Sequence, residues 1–337
     1  MASGESEFLI VRLSSLGDII HALPAFSALR RCRPEAHISW AVEPRGGEIL
    51  RLVPGLDRII VLKKRGWRKS LMPVRGKGLI ALDFQGLIKS GLIALLSGAG
   101  RRIGFSRTNL REPLAGVFYN QTAAPFPEFR HVIEKNLHLL SCLGIRETDF
   151  DFPLAVPASL SERVRGLLRP LGYDDGRQLI LCNVGAAWPS KRWPPERWAG
   201  VLRCLKSGGR FPLVLWGNDG EKRLAEEAGR ASGVPVSPFF DVVEILALIK
   251  ESRLVLSGDT FALQAACALG VPVVGLFGPT TPGRNGPFRG KDAAAFHELP
   301  CSHCYRRACP EPECMRLITP EEVVVLAEAR LAEAPRV

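Results

Sequence analysis

Short apolar runs recur along this chain, and each is followed by a stretch in which apolar positions return every three or four residues. The first run, Phe8-Leu9-Ile10-Val11, has the length and character of a parallel strand buried on both faces. A small polar loop, Ser14-Ser15-Leu16-Gly17-Asp18, leads into Ile19, Leu23 and Phe26 at helical spacing. The same alternation predicts strands over 38–42, 58–62, 79–84 and 102–105, with helices over 87–96 and 131–143. A looser region, 147–176, holds Pro153 and Pro157 and has room for one short helix, which marks a boundary. The pattern then restarts, with strands over 179–182, 211–216, 254–257 and 271–277. Helices are expected over 194–206, 221–231, 241–250, 259–269 and 320–332. The expected architecture is α/β, with two doubly wound parallel units over 1–155 and 177–337 joined by a linker over 156–176. The second unit carries a Cys-rich segment at 301–314 and a terminal helix.

With 337 residues, 46% of them hydrophobic, the chain has enough apolar content to bury two such cores. No basic-then-apolar leader precedes the first strand, and the most apolar stretch, 86–98, is interrupted by Lys89, Ser90 and glycines. Neither a secretory signal nor a spanning helix is expected, and the protein reads as cytoplasmic. The formal charge of +11 calls for an anionic partner: nucleic acid, an acidic membrane surface or a phosphorylated substrate. The densest basic run, Lys63-Lys64-Arg65-Gly66-Trp67-Arg68-Lys69, comes with no nucleic-acid-binding signature, and a loop gripping an anionic substrate suits the fold better.

Candidate chemistry collects where strands end and helices begin, the place where open α/β sheets bind ligands. Asp18 is one such carboxylate, and on local chemistry it serves as a helix cap as readily as a catalyst. Ser257-Gly258-Asp259-Thr260 repeats that placement in the second unit, where backbone N–H groups and the helix dipole favour a diphosphate. Lys191, in the loop before Pro194, can neutralise charge developing on a leaving diphosphate, or be a solvated surface lysine. The run from Phe277 to Pro287 is too rich in Gly and Pro for helix or strand, and such loops line sites. Asp149-Phe150-Asp151 has the Asp-x-Asp form of a metal site but lies far from any predicted strand end, and is set aside. Cys301, Cys304, Cys309 and Cys314 form a C-x2-C-x4-C-x4-C array, read either as a structural zinc site or as thiols holding a loop-rich segment. Cys32, Cys142, Cys182, Cys204 and Cys267 stand singly in apolar surroundings and read as small core residues.

Taken in order, these pieces resemble glycosyltransferase family 9, the lipopolysaccharide heptosyltransferases, over nearly the whole chain. The resemblance rests on Ser14-Ser15-Leu16-Gly17-Asp18-Ile19-Ile20-His21, Lys191-Arg192-Trp193-Pro194, Asp259-Thr260 and Phe277-Gly278-Pro279-Thr280. The segments 83–90 and 111–120 look more narrowly like heptosyltransferase I, whereas the cysteine array looks more like the second heptosyltransferase type. The resemblance implies a GT-B fold, two Rossmann-like domains facing a central cleft, with acceptor in the first and donor in the second. It implies inverting, metal-independent transfer of heptose from ADP-heptose to a Kdo residue of lipid A, at the anionic inner face of the inner membrane. Alternatives are another core position or nucleotide-sugar donor, as in a heptosyltransferase II-like enzyme, or a nucleotide-sugar epimerase. By position, Asp18 matches the general base. Lys191, Glu221, Asp259, Thr260, Gly278 and Thr280 match donor-binding positions, and Lys69, Lys89 and Arg111 match acceptor-side cations. The chain departs from the family pattern at Phe261, Gln264, Ala186-Ala187 and Thr281, all on the donor side.

Overall fold

A computed structural model describes residues 7–63, 71, 74, 76–289 and 292–333. The chain divides into two compact units, Met1–Ala155 and Val156–Val337. In the first, β1 (Glu7–Val11), β2 (His37–Val42), β3 (Arg58–Val61), β4 (Ile80–Asp83), β5 (Arg101–Gly104) and β6 (Gln121–Thr122) form one parallel sheet, ordered β3-β2-β1-β4-β5-β6. β1 is central because Phe8, Leu9, Ile10 and Val11 have no polar side to offer water, and all four are fully buried. Leu9 and Val11 join Ala41, Ala81 and Ile93 in one cluster, while Trp40 meets Phe26 of the helix Leu16–Cys32. Register sets Val11 opposite both Ala41 and Asp83, so β1 and β4 end level and β2 runs one residue further. The chain moves outward from β1 through β2 to β3 and then returns to β4 on the other flank, which puts the switch point of the sheet between β1 and β4.

The second unit repeats the design with β7 (Gln178–Asn183), β8 (Arg210–Leu215), β9 (Leu254–Gly258), β10 (Val273–Phe277) and β11 (Ala293–Phe296), ordered β11-β10-β9-β7-β8 and parallel throughout. Its switch point lies between β7 and β9. Trp193 and Trp198 meet edge-to-face at 5.2 Å within a core that also takes Val323 and Ala327 of the terminal helix Pro320–Glu333. The helix Ala158–Leu168 packs on the helix Val242–Glu251 and is tied there by Arg163–Glu244 and Arg165–Glu251 ion pairs. No helix among the described residues is long and apolar enough to cross a membrane.

Two local expectations are corrected and one unforeseen strand is added. The Gly- and Pro-rich run does contain a short helix, Pro282–Asn285, because Pro282 starts it without needing an N–H partner and the Thr281 hydroxyl caps Gly283. β11 adds an edge strand that its sequence, Ala-Ala-Ala-Phe, does not announce. Of the single cysteines, Cys182 and Cys267 are buried, but Cys204 is exposed near the end of the helix Pro195–Leu205, beyond that helix's apolar face.

Candidate active site

In the first unit the site is built on the loops leaving β1 and β4. Ser15 is the N-cap of the helix Leu16–Cys32 and Asp18 is its third residue, so the carboxylate closes a capping box. Asp18 Oδ2 accepts the Ser15 N–H at 3.1 Å and the Ser15 hydroxyl at 2.9 Å. Its other oxygen, Oδ1, lies 2.7 Å from Arg12 Nη2. The cap and the chemically available carboxylate are thus one group. Burial acts to raise its proton affinity, but Arg12, His21 and the two Ser15 hydrogen bonds outweigh that and hold the carboxyl below the usual aspartate range. The β1 and β4 loops are tied together: Leu13 N–H donates to Gln85 Oε1 at 2.7 Å, and Arg12 Nη1 donates to the Phe84 carbonyl. Beneath them Asp83 is fully buried, accepting the N–H groups of Gln85 (2.8 Å) and Gly86 (3.1 Å) and the Tyr119 hydroxyl (2.7 Å). Lys89 opens the helix that follows β4 and is exposed, with its ammonium 2.7 Å from Glu43. Arg111 is exposed, and its backbone passes beside Gly86, where Glu112 N–H donates to the Gly86 carbonyl. Lys69 lies outside the described residues.

In the second unit the loops after β7 and β9 meet. Lys191 Nζ lies 2.6 Å from Asp259 Oδ2 and 3.3 Å from the Asp259 carbonyl, with side chains only 13% and 8% exposed. Its ammonium also lies 4.3 Å from the Trp188 ring centroid. Thr260 is the N-cap of the helix Phe261–Leu269. Asn183, at the end of β7, donates to the Gly185 carbonyl (3.1 Å), Ser257 Oγ (3.0 Å) and Thr260 Oγ1 (3.1 Å), pinning both loops. Gln264 donates to the Asn285 carbonyl (2.6 Å) and reaches Asp259 Oδ1 (3.4 Å). Glu221 is buried in the first turn of the helix Asp219–Ser232. Its Oε2 accepts the Gly217 N–H at 2.9 Å, and its carboxylate sits against Gly185. Thr280 is also buried, and its hydroxyl has no hydrogen-bond partner among the described residues.

The Cys-rich segment straps these loops together. Tyr305 N–H donates to the Pro279 carbonyl (3.0 Å), while Ser190 donates its hydroxyl to Arg306 O (2.6 Å) and its N–H to Arg307 O (3.3 Å). Gly278 has no side chain because Met315 Sδ and Cys314 Sγ stand 2.5 and 3.0 Å from where a Cβ would be. Burial raises the Cys314 thiol, and the nearby Cys301, Cys304 and Cys309 raise it further. All nine cysteines are free, and no three His, Cys, Asp or Glu side chains among the described residues are arranged to hold a metal ion.

The structure therefore gathers Lys191, Asp259, Thr260 and Glu221 on one edge of one sheet, and Asp18, Lys89 and Arg111 on one edge of the other. Sequence reasoning missed Arg12, Asn183 and Ser190. Arg12 also reaches Phe84, Asn183 reaches Thr260 and Ser190 reaches Arg306, 72, 77 and 116 residues away, and no motif marks even the near pair of Arg12 with Asp18.

Two doubly wound parallel units with polar side chains gathered where strands give way to helices define the architecture, and the family follows from comparison. The model of glycosyltransferase family 9 (heptosyltransferase) matches residues 77–315, and the chain belongs to that family. Lipopolysaccharide heptosyltransferase 1 of Pseudomonas aeruginosa is 28% identical, over 96% of this chain and 97% of its own. Among solved structures, the family 9 glycosyl transferase of Veillonella parvula superposes with a TM-score of 0.84 at 22% identity, covering 99% of both chains. E. coli heptosyltransferase WaaC with ADP-2-deoxy-2-fluoro heptose gives 0.74 at 22% identity, covering 96% of this chain and 99% of its own.

Proposed function

We propose that this protein is a lipopolysaccharide-core heptosyltransferase that moves heptose from ADP-heptose to a Kdo residue of a lipid A acceptor, inverting the anomeric carbon. The observation that carries the reading is the pair of loop clusters at the two switch points. One holds the Asp18 carboxylate against the Arg12 guanidinium, with exposed Lys89 after the adjoining β4, and the other holds a lysine, a helix N-terminus and a buried glutamate. The curated relative's activity and the ADP-sugar in the WaaC structure support the donor and product class.

In this reading residues 1–155 take the acceptor and 177–337 the donor, with 156–176 between those two roles. Asp18 accepts the proton of the acceptor hydroxyl. The hydroxyl oxygen bonds to the anomeric carbon from the face opposite ADP, the bond from that carbon to the diphosphate oxygen breaks, and ADP leaves with the electron pair. Lys191 exchanges its Asp259 partner for the diphosphate, and the N–H groups at Thr260 add their dipole. Glu221 takes the ribose hydroxyls, and Gly278 and Thr280 line the donor. Lys69, Lys89 and Arg111 hold acceptor anions. No step in this scheme requires a metal, since Lys191 supplies the positive charge. The charge of +11 then draws the enzyme to the anionic cytoplasmic face of the inner membrane.

ADP release measured with a panel of nucleotide sugars and a deacylated Kdo acceptor, with and without chelator, tests the reading. ADP-heptose is expected to be preferred, chelator to have no effect, and Asp18→Asn to lower kcat about 10²–10⁴-fold. Undiminished transfer by Asp18→Asn, chelator-sensitive turnover, or sugar isomerisation without acceptor would each overturn it.

A further inference from the structure

Asp18 can act as a base only if its carboxylate is both ionised and held in one orientation. We infer that Arg12 is the positioning residue for this base, a role that rests on the assignment of Asp18 above. Arg12 follows the last residue of β1, and its side chain is 11% exposed. One guanidinium nitrogen meets Asp18 Oδ1 at 2.7 Å, and the other donates to the carbonyl of Phe84 in the loop after β4. The backbone of Arg12 is itself fixed, since Trp40 Nε1 donates to its carbonyl at 3.2 Å. A planar fork with two nitrogens at fixed separation thus spans from the base to the loop that leads into Lys89. The second Asp18 oxygen is turned by Ser15, so neither oxygen is free to rotate.

Among the described residues, the charged or titratable groups acting on Asp18 are Arg12, from the end of β1, and His21, one turn further along its own helix. The neighbouring helix Val132–Leu139 presents His131, whose ring meets that of His21 at 5.6 Å. Among the described residues, Arg12 is therefore the permanent charge that favours the ionised base. A lysine at this position supplies the charge but cannot bridge both partners, whereas methionine supplies neither. This separates electrostatics from geometry.

Steady-state kinetics of Arg12→Met and Arg12→Lys across pH, with both substrates varied, test the inference. Arg12→Met is expected to lower kcat on the order of 100-fold with KM values held within about twofold, the scale of a misplaced catalytic group. Its acid limb of kcat/KM moves to higher pH, because burial of Asp18 then acts without its main opponent. Arg12→Lys keeps the acid limb near its wild-type position and loses less, about tenfold. Combined with Asp18→Asn, the Arg12→Met change adds little, because the two act as one unit. If Arg12→Met does not fold, Arg12→Gln carries the same pH test, keeping a donor for Phe84 while dropping the charge. Unchanged kcat, or a kcat loss with an unmoved acid limb, overturns the inference. Transfer retained by Asp18→Asn instead removes the base assignment beneath it.

Discussion

Gly185 shows how much one residue can decide at this site. Its φ is not in the left-handed region, and a Cβ added here would land on the Glu221 carboxylate. Those atoms are the far end of a flexible side chain, so Gly185→Ala is expected to fold normally while pushing Glu221 off the Gly217 N–H. The hydrogen bond lost is worth about 1 kcal/mol, too little to unfold the unit. If Glu221 grips the ribose, ADP affinity measured by calorimetry falls roughly tenfold, the equivalent of 1.4 kcal/mol. Unaltered ADP binding would remove Glu221 from the nucleotide site. Asp18 teaches a related lesson at the same scale. Its capping box and its availability as a base are not competing descriptions, because Oδ2 serves the helix while Oδ1 faces Arg12.

The loop after β4 is the element on which the first cluster rests, and Asp83 is its buried anchor. Burial raises the Asp83 carboxyl despite hydrogen bonds from Ser90, Tyr119, Gln85 and Gly86, and burial with the adjacent Asp83 pushes the Tyr119 hydroxyl up. A carboxyl raised in the folded state contributes its full stability below the ordinary value of 3.8 and loses it as pH climbs through the folded value. Tyr119→Phe removes a donor to the ionised form and leaves Asp83 Oδ2 buried without it, at a cost of about 1–3 kcal/mol. The loss in urea midpoint is therefore expected to be larger at neutral than at acid pH, and equal losses at both would contradict this account. Such elements also show what the sequence made legible. Strands buried on both faces announce themselves as apolar runs, so β1, β4, β7, β9 and β10 could be read from the chain. The two residues of β6 carry no periodicity, and the three alanines of β11 carry no strand preference. Side-chain placement was legible where a motif sits at a strand end or in the loop that follows it, as with Asp18, Lys191 and Asp259. It was not legible where a side chain reaches across the sheet, as Arg12 does to Phe84 and Asn183 to Thr260.

At the scale of the molecule, the proposed acceptor would be anchored in lipid, while no helix among the described residues is long and apolar enough to cross a membrane. The first unit exposes Ile88, Leu114 and Val117 at 40%, 65% and 76%, on two neighbouring helical segments, 88–96 and 113–118. Lys89 in the first segment, and Arg107 and Arg111 in the chain leading into the second, are also exposed and bring positive charge near them. Glu43 pairs with Lys89, and Glu112 accepts the Ile88 N–H, so the cationic excess is moderate and the apolar side chains must share in binding. Apolar wedges beside cations match an anionic bilayer, where each basic residue near the surface adds about 1 kcal/mol and a buried leucine or valine about 1.5–3 kcal/mol. Cosedimentation with vesicles containing anionic lipid is expected to exceed that with zwitterionic vesicles and to fall as salt rises. Leu114→Ser with Val117→Ser should weaken binding to the anionic vesicles at least tenfold, yet leave transfer to a deacylated, soluble acceptor unchanged, because neither side chain belongs to the proposed chemistry. If the double variant sediments like the wild type, this face does not meet the membrane. If the wild type is dimeric in solution and the variant monomeric, the face is covered by a second copy of the chain, and the bilayer assignment falls.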